Sequence, residues 1–492
     1  MKNIYTILLS ISLVVVNGCS DFLEEDLIGK YSNSTFYKTE AHALLALTAI
    51  YNNVAFVNTD NCLWVFGDVV SDDAVKGGSP GDQNDIQFLD EFNYSRNNGF
   101  LEKYWKHYYE GISRANYLLY YGPDIVMDEN LKSRILGEAK FLRAYQYFIL
   151  VNTFGEIPLK TNPPLNSDEI NKPVSSVSAI YDQIEKDLEE AASVLSVSYT
   201  GSDVGRATKG AAYGLLAKAH LYQEEWDQTL SAIESLESLG IYSLVPVYKN
   251  NFIDSTQNNG ESIFEIQHLS GQSPKLGSHL NQWLGPFKYN GYGFDAPLQD
   301  FVDEFETTDG SVVDPRLDYT VGRAGQPWID GTPFDPNQSS TGFLQRKHEQ
   351  PKNEEPVIGD ASLNYVYMRY ADILLMKAEA LNESGNTAAA LEPLNAVRKR
   401  ARESYLNDVD LPGYGVVPDG LLPDVTGTQS DVRDAIRHER RVELGFEFHR
   451  FFDLMRYGKA YAEDALKDTG FSYDENRYFL IPQSELDTNP SI

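Results

Sequence analysis

Cysteine is nearly absent from this sequence. Two occur in 492 residues, Cys19 and Cys62, too few for a disulfide framework, so a folded body of this size must be held by its own core. Positive charge is scarce as well: 41 Lys and Arg stand against 72 Asp and Glu, for a formal charge of -31. That deficit excludes a nucleic-acid partner and a docking face for anionic lipid, both of which need a basic patch to release counterions. The eight histidines (His42, His107, His220, His268, His279, His348, His438 and His449) never fall in HxxxH or HExxH spacing, so no helical face carries two imidazoles and no metal is expected. Glycine-rich phosphate loops and GxSxG elbows are missing too, and no cofactor is expected. The one apolar run that could be taken for a membrane span, residues 4–16, is too short to cross a hydrocarbon core of about 30 Å as a helix.

What is present is the composition of a folded protein, 42% hydrophobic and 12% aromatic, with length for two or three domains. The apolar run after Met1-Lys2-Asn3 reads as the core of an export signal. The following "VNGCSDFLEE" offers small residues at a cleavage site and puts cysteine at the first mature position, the arrangement for transferring a lipid to a thiol. Cys19 is therefore the expected lipidation site. A secreted protein with an unmodified cysteine near its cleavage site is the plainer alternative. With Cys19 lipidated, Cys62 has no intrachain partner. The chain divides into a signal peptide (1–18), an acidic tether (19–35), an N-terminal helical region (36–241), a loop-rich insert (242–362) and a C-terminal helical region (363–492).

Helical periods dominate both flanks of the insert. "EAHALLALTAIYNNV" is amphipathic, "FLEKYWKHYYEGISRANYLLYY" is a long aromatic helix ended by Gly122-Pro123, and "NLKSRILGEAKFLRAYQYFILVNTFG" aligns Ile135, Ala139, Leu142 and Tyr145 on one stripe. A serine-capped helix follows in "SSVSAIYDQIEKDLEEAASVL". Two later blocks share a layout: "KGAAYGLLAKAHLYQEEWDQTLSAIESL" breaks at Glu224-Glu225, and "YADILLMKAEALNESGNTAAALEPLNAVRKRA" breaks at Ser384-Gly385. Both read as tetratricopeptide-like helix pairs, in which small residues let two helices approach and large ones fill the gap to the next pair. The fold class is thus mainly α, a helical-repeat superhelix split by an insert of irregular loops and short strands such as "SIFEIQHL". That insert concentrates Trp283, Phe287, Tyr289, Tyr292, Phe294, Trp328 and Phe334, and long loops on a helical scaffold are where binding surfaces are built.

The blocks "VYMRYADILLMKAEALNESG", "AVRKRAR", "IRHERRVELGFEFHRFFDLMRYGKA" and "RYFLIPQSELDTNPSI" resemble, in order, those of the SusD/RagB family of outer-membrane lipoproteins of Bacteroidota. "AKFLRAYQYFILVNTFGEIPL" and "KGAAYGLLAKAHLY" extend the resemblance over nearly the whole mature chain. There are departures. Phe448 stands where the family usually has glycine, Tyr457 replaces a common tryptophan, Leu480 replaces a proline, and the chain stops at Ile492 without the aromatic-ended tail of many members. The resemblance implies a lid over a SusC-like TonB-dependent transporter, held by lipid on the outside of the outer membrane, that passes oligosaccharides or in some members peptides inward. It also implies that "SDFLEED" is the surface-export signal.

Read as chemistry, "IRHERRVELGFEFHRFFDLMR" places Arg440 with Glu443, Glu447 with Arg450 and Arg450 with Asp453 at i,i+3 spacing, which predicts pairing along a helix and leaves no carboxylate for acid–base work. A sugar site stacks an aromatic face on the ring and aims polar groups at its rim. Trp283, Tyr289, Tyr292 and Trp328 are the candidate faces, with Asp72, Asp73 and Lys76 as hydroxyl partners; no catalytic residue is assigned. Non-catalytic glycan capture is the leading function. A peptide-binding lipoprotein of the same type, a glycosidase with paired carboxylates and a protein-binding helical scaffold remain alternatives.

Overall fold

A computed structural model describes residues 36–308, 312–354 and 357–492; the signal segment, Cys19 and the tether lie outside them. Polar caps fix where the helices begin, because a side-chain oxygen at the N-cap satisfies backbone N–H groups that have no partner in the first turn. Thr39 accepts from His42 N ahead of α1 (Glu40–Val54), Asn98 from Phe100 N and Leu101 N ahead of α2 (Gly99–Tyr121), Asp128 from Leu131 N ahead of α3 (Glu129–Phe154), and Ser176 from Ala179 N ahead of α4 (Val177–Val194). The expected stripe on α3 is buried, but so is nearly everything beyond Ile135. α3 runs through the centre of the main core, packed on α2 on one side and α4 on the other.

The two repeat-like blocks form α5 (Lys209–Tyr222) with α6 (Trp226–Glu237) and α7 (Tyr370–Glu383) with α8 (Thr387–Arg402). Each helix packs on its successor from α1 through α8, so α6 meets α7 although the whole insert lies between them in the chain. Ala211, Ala212, Ala217 and Ala219 are fully buried at these contacts. Polar pairs fix the register across the join: Lys218 Nζ lies 3.0 Å from Asp372 Oδ2 in the interior, and Lys377 Nζ lies 2.8 Å from Glu237 Oε2 nearer the surface. The split superhelix expected from the sequence is therefore continuous in space.

The ends of the insert are tied by a ladder in which β2 (Ser262–Ile266) pairs antiparallel with β6 (Tyr365–Arg369). Two more short ladders shape it: β1 (Ala74–Gly77) with β3 (Phe294–Pro297), and β4 (Val321–Gly322) with β5 (Leu344–Gln345). Gly77 sits at φ +70, where an added Cβ would come within 2.4 Å of the Gly293 carbonyl oxygen, so the first of these ladders needs glycine.

The "IRHERRVELGFEFHRFFDLMR" run is not one helix. It forms α9 (Gln429–Leu444) and α10 (Arg450–Arg456) with a tight turn between them. Phe446 and Phe448 in that turn have φ of +61 and +64, the left-handed region that glycine enters most easily, in line with the glycine that the family resemblance leads one to expect at position 448. The expected i,i+3 pairs are consequently corrected. Arg440 pairs with Asp372 and Asp453, Arg450 with Asp72, Glu447 with Lys347 and Arg369, and Glu443 with Arg316, Arg369 and Arg400. The pairs are buried and decorate no single helix face: Arg316 and Lys347 join the insert to α9 and the turn after it, Arg440 ties α9 to α7 and α10, and Arg450 ties α10 to Asp72.

At the edge of this network, His438 Nδ1 lies 3.0 Å from Glu304 Oε2 and Nε2 lies 3.6 Å from Glu306 Oε1. Burial works against the imidazolium, but the hydrogen bonds to the two glutamates outweigh it and raise the pKa to about 9. A raised histidine pKa contributes stability that is complete below the unfolded value of about 6.5 and is lost as pH climbs through the folded value. His438→Gln is expected to remove a pH-dependent contribution of no more than about 2 kcal/mol between roughly pH 6.5 and 9, after allowance for solvent screening. Thermal melts of both proteins across that window check it; parallel curves would contradict it.

Candidate functional site

A cleft of about 550 Å³ opens on the insert, inside the range that holds small ligands. Its wall is apolar: Phe252 and Trp328 come from the insert and Leu363 from just beyond it, while Leu411 and Pro412 come from the loop after α8. Trp328 is held by Phe334, with ring centroids 5.4 Å apart, and by the Arg346 guanidinium 5.9 Å from its ring. An added Cβ at Gly322 would come within 2.5 Å of the indole, so β4 lets the ring lie flat against backbone. Trp328 is only 4% exposed and reaches the cleft as part of its wall, not as a free-standing platform.

The polar rim is braced. Tyr319 donates its hydroxyl to Asp408 Oδ2 at 2.5 Å, and Lys249 Nζ donates to Asp408 Oδ1 at 2.8 Å and Asp410 Oδ2 at 2.6 Å. Burial alone would raise the Asp408 carboxyl, but the hydrogen bonds from Lys249 and Tyr319 bring it below its ordinary range. Burial, followed by that same bond and the Asp408 charge, keeps the Tyr319 phenol protonated far above its usual range. Arg346 donates from Nη1 to the Asp318 carbonyl at 2.5 Å, and Asp318 also pairs with Arg323.

The residues singled out from the sequence separate into three groups. Asp72 and Asp73 face inward, and their assignment as hydroxyl partners is corrected. Arg450 grips Asp72 with Nε to Oδ1 and Nη2 to Oδ2, both 2.8 Å, while Arg441 Nε donates to Asp73 Oδ1 at 2.6 Å. Lys76 is corrected for the same reason: Nζ donates to the Asp82 carbonyl at 2.8 Å and the side chain is buried beside the Phe294 ring. Two adjacent aspartates on a loop looked like solvated ligand groups because their arginines lie some 370 residues away, as the Asp73–Arg441 separation of 368 shows.

Trp283 belongs to a second group. It is buried against Trp64 and Phe294, with ring centroids 5.7 and 5.5 Å away, and its place as an exposed stacking face is corrected; only Tyr292 at the edge of this cluster, 5.5 Å from it, is exposed. The third group is Trp328 with Tyr289. Tyr289 packs on the Trp328, Phe334 and Leu344 cluster from outside, its hydroxyl bonded to Asp330 and Lys288 Nζ 4.6 Å from its ring. Sequence reasoning missed Phe252, Tyr319, Arg346 and the 408–412 loop. The only signal for that loop was its Pro and Asp content between two amphipathic helices.

One grouping of metal-type donors lies elsewhere. The ligand atoms of Glu185, His220 and Glu225 fall within 4.8 Å of one another where α4, α5 and the turn before α6 meet. His220 Nδ1 is 2.7 Å from Glu225 Oε2, a histidine–carboxylate hydrogen bond that already ties the turn, and spacing searches along the sequence cannot see it because three elements contribute.

The model for the SusD family matches residues 260–492, and one described as "Starch-binding associating with outer membrane" matches residues 21–221. A SusD-like protein of Formosa agariphila is 30% identical over 93% of this chain and 92% of its own. Among solved structures, a laminarin binding SusD-like protein is 31% identical, with a TM-score of 0.76 over 92% of this chain and 98% of the other. A SusD-like carbohydrate binding protein from Bacteroides fragilis is 26% identical, with a TM-score of 0.78 over 93% and 99%.

Proposed function

This chain belongs to the SusD family, and from that premise we propose that it is a non-catalytic glycan-binding lipoprotein of the cell surface. It captures oligosaccharide in the cleft beside Trp328 and presents it to a SusC-like TonB-dependent transporter, while a lipid on Cys19 holds it at the outer membrane. The observation that carries this reading is the cleft itself: an aromatic and aliphatic wall closed by a rim of carboxylates and a guanidinium, the combination that suits C–H faces and hydroxyl edges of sugar rings. Capture without hydrolysis is supported by Asp408. A glycosidase acid needs its carboxyl pushed up, and Lys249 and Tyr319 bring this one down.

Calorimetry with laminarin is the first test, since a relative carries that ligand in its name, followed by starch, xylan and mannan. Trp328→Ala is expected to weaken binding about tenfold or more through loss of the stacking wall. Because Trp328 is buried, Ile253→Arg on the exposed lip of the same cleft is the companion variant and is expected to block entry with an unchanged melt. Loss of binding in Tyr289→Ala and Tyr292→Ala but in neither cleft variant would move the site to the outer aromatic face. Release of reducing ends would favour the enzyme.

A further inference from the structure

The cleft has a one-sided charge inventory. Asp254, Asp318, Glu349, Glu354, Asp408 and Asp410 line it, against Lys249 and Arg346 as the cations of its lining. Neither cation is available to an incoming anion. Lys249 is clamped between Asp408 and Asp410, and Arg346 lies against the Trp328 ring with Nη1 on the Asp318 carbonyl. Arg323, behind the rim, is paired with Asp318, and Lys347, next in the chain to Arg346, is buried against Glu447. A sulfate or uronate carboxylate entering here would meet like charge within about one Debye length, 8 Å at physiological ionic strength, and would find no bidentate guanidinium of the kind such groups require. The overall charge of -31 adds a long-range field of the same sign.

Resting on the proposed glycan-binding role of this cleft, we propose that the protein selects neutral glycans and rejects anionic ones: its ligand is a polymer of uncharged sugars, and polysaccharides carrying sulfate or uronate groups are excluded by the rim. Hydroxyl groups of a neutral sugar can donate to the rim carboxylates without bringing charge into the cleft, whereas charge on the ligand would have to be neutralised by displacing Lys249 or Arg346 from its present partner. Like-charge juxtaposition of this kind sets specificity more than affinity.

The test uses the mature protein and two panels, neutral (laminarin, starch, xylan, mannan) and anionic (laminarin sulfate, alginate, polygalacturonate), each at low and at physiological salt, with and without added calcium. The expected result is binding confined to the neutral panel, with laminarin sulfate at least tenfold weaker than laminarin and the gap narrowing as salt rises. A variant carrying Asp254→Asn, Glu354→Gln and Asp410→Asn, all on the exposed or half-exposed rim, is expected to narrow that gap at least threefold with an unchanged melt. Tight binding of an anionic polymer, with or without calcium, overturns the inference. If Ile253→Arg abolishes that anionic binding, the cleft is still the glycan site and only the charge rule fails. If Ile253→Arg leaves it intact, or if neither panel binds, the cleft reading fails and the inference with it.

Discussion

Glu443→Ala is expected to destabilise the protein by about 3–5 kcal/mol or more, the cost of stranding buried charge. Glu443 is fully buried at the centre of three guanidiniums. Arg316 Nη1 lies 2.9 Å from Oε2, Arg369 Nη1 2.5 Å from Oε1, and Arg400 Nη2 also bonds Oε1. Burial alone would raise the carboxyl, yet Arg400, Arg369 and Arg316 outweigh it and hold the group ionised well below the usual carboxylate range. Removing it leaves three cations sharing Glu261, Asp314, Glu439 and Glu447. The pKa is depressed in the folded state, so this contribution is present above the unfolded value of about 4.5 and is lost as pH falls below it. Urea unfolding at pH 7 measures the effect, and a change under about 1 kcal/mol would refute it. Adding Arg400→Met to the Glu443→Ala protein removes one stranded cation and is expected to recover part of the loss, a coupling a double-mutant cycle reads directly.

Asp72→Ala is expected to cost a similar amount, about 3–5 kcal/mol, and to leave glycan affinity in the folded protein within about twofold. The reason is the bidentate grip of Arg450 on Asp72 in an environment where both side chains are under a tenth exposed. Burial would raise the Asp72 carboxyl, but Arg450 and Arg441 more than reverse it. Asp73 behaves differently: burial pushes it up to about 6 against the pull of Arg441, so it replaces Asp72 only in part, its Oδ1 being 3.9 Å from Arg450 Nε. Denaturation and calorimetry on the same preparation separate the two readouts. An unchanged melt with lost binding would restore Asp72 to the ligand and overturn the inward reading.

The structural pair and the cleft are linked. Asp72 and Asp73 precede β1, whose partner β3 lies in the insert, and Arg441 reaches both these aspartates and Glu304 of the insert. Arg316 precedes Tyr319 on one short helix, Arg316–Thr320, and Lys347 follows Arg346. The ion network thus holds, within a few residues of chain, two of the groups that line the cleft.

Much of the scaffold was legible before any coordinates. Apolar periods, with a serine cap at α4, located α1 to α8 because such signals are local: an N-cap oxygen answers to a backbone N–H two or three residues away, and a buried stripe repeats every three or four. Small residues at matching places in α5 and α7 were enough to predict that two distant blocks stack. The site was legible in type but not in orientation. Trp328 lies in the cleft wall and Tyr289 packs behind it from outside, yet Trp283, Asp72, Asp73 and Lys76 turn inward, because nothing in a loop's composition says which side of it faces a partner.

Taken alone, the sequence determined a helical-repeat body with an aromatic insert, an excess of negative charge and the family to which the chain belongs, all of them properties carried by near neighbours in the chain or by simple sums over it. Only the tertiary structure decided which charges are free. Arg450 finds Asp72 and Arg369 finds Glu443 across separations of 378 and 74 residues, and burial makes such pairs compulsory, since an ion removed from water without its counterion costs several kcal/mol. What that leaves for a ligand, a cleft apolar at the wall and with more carboxylates than cations at the rim, is set by those long-range matches.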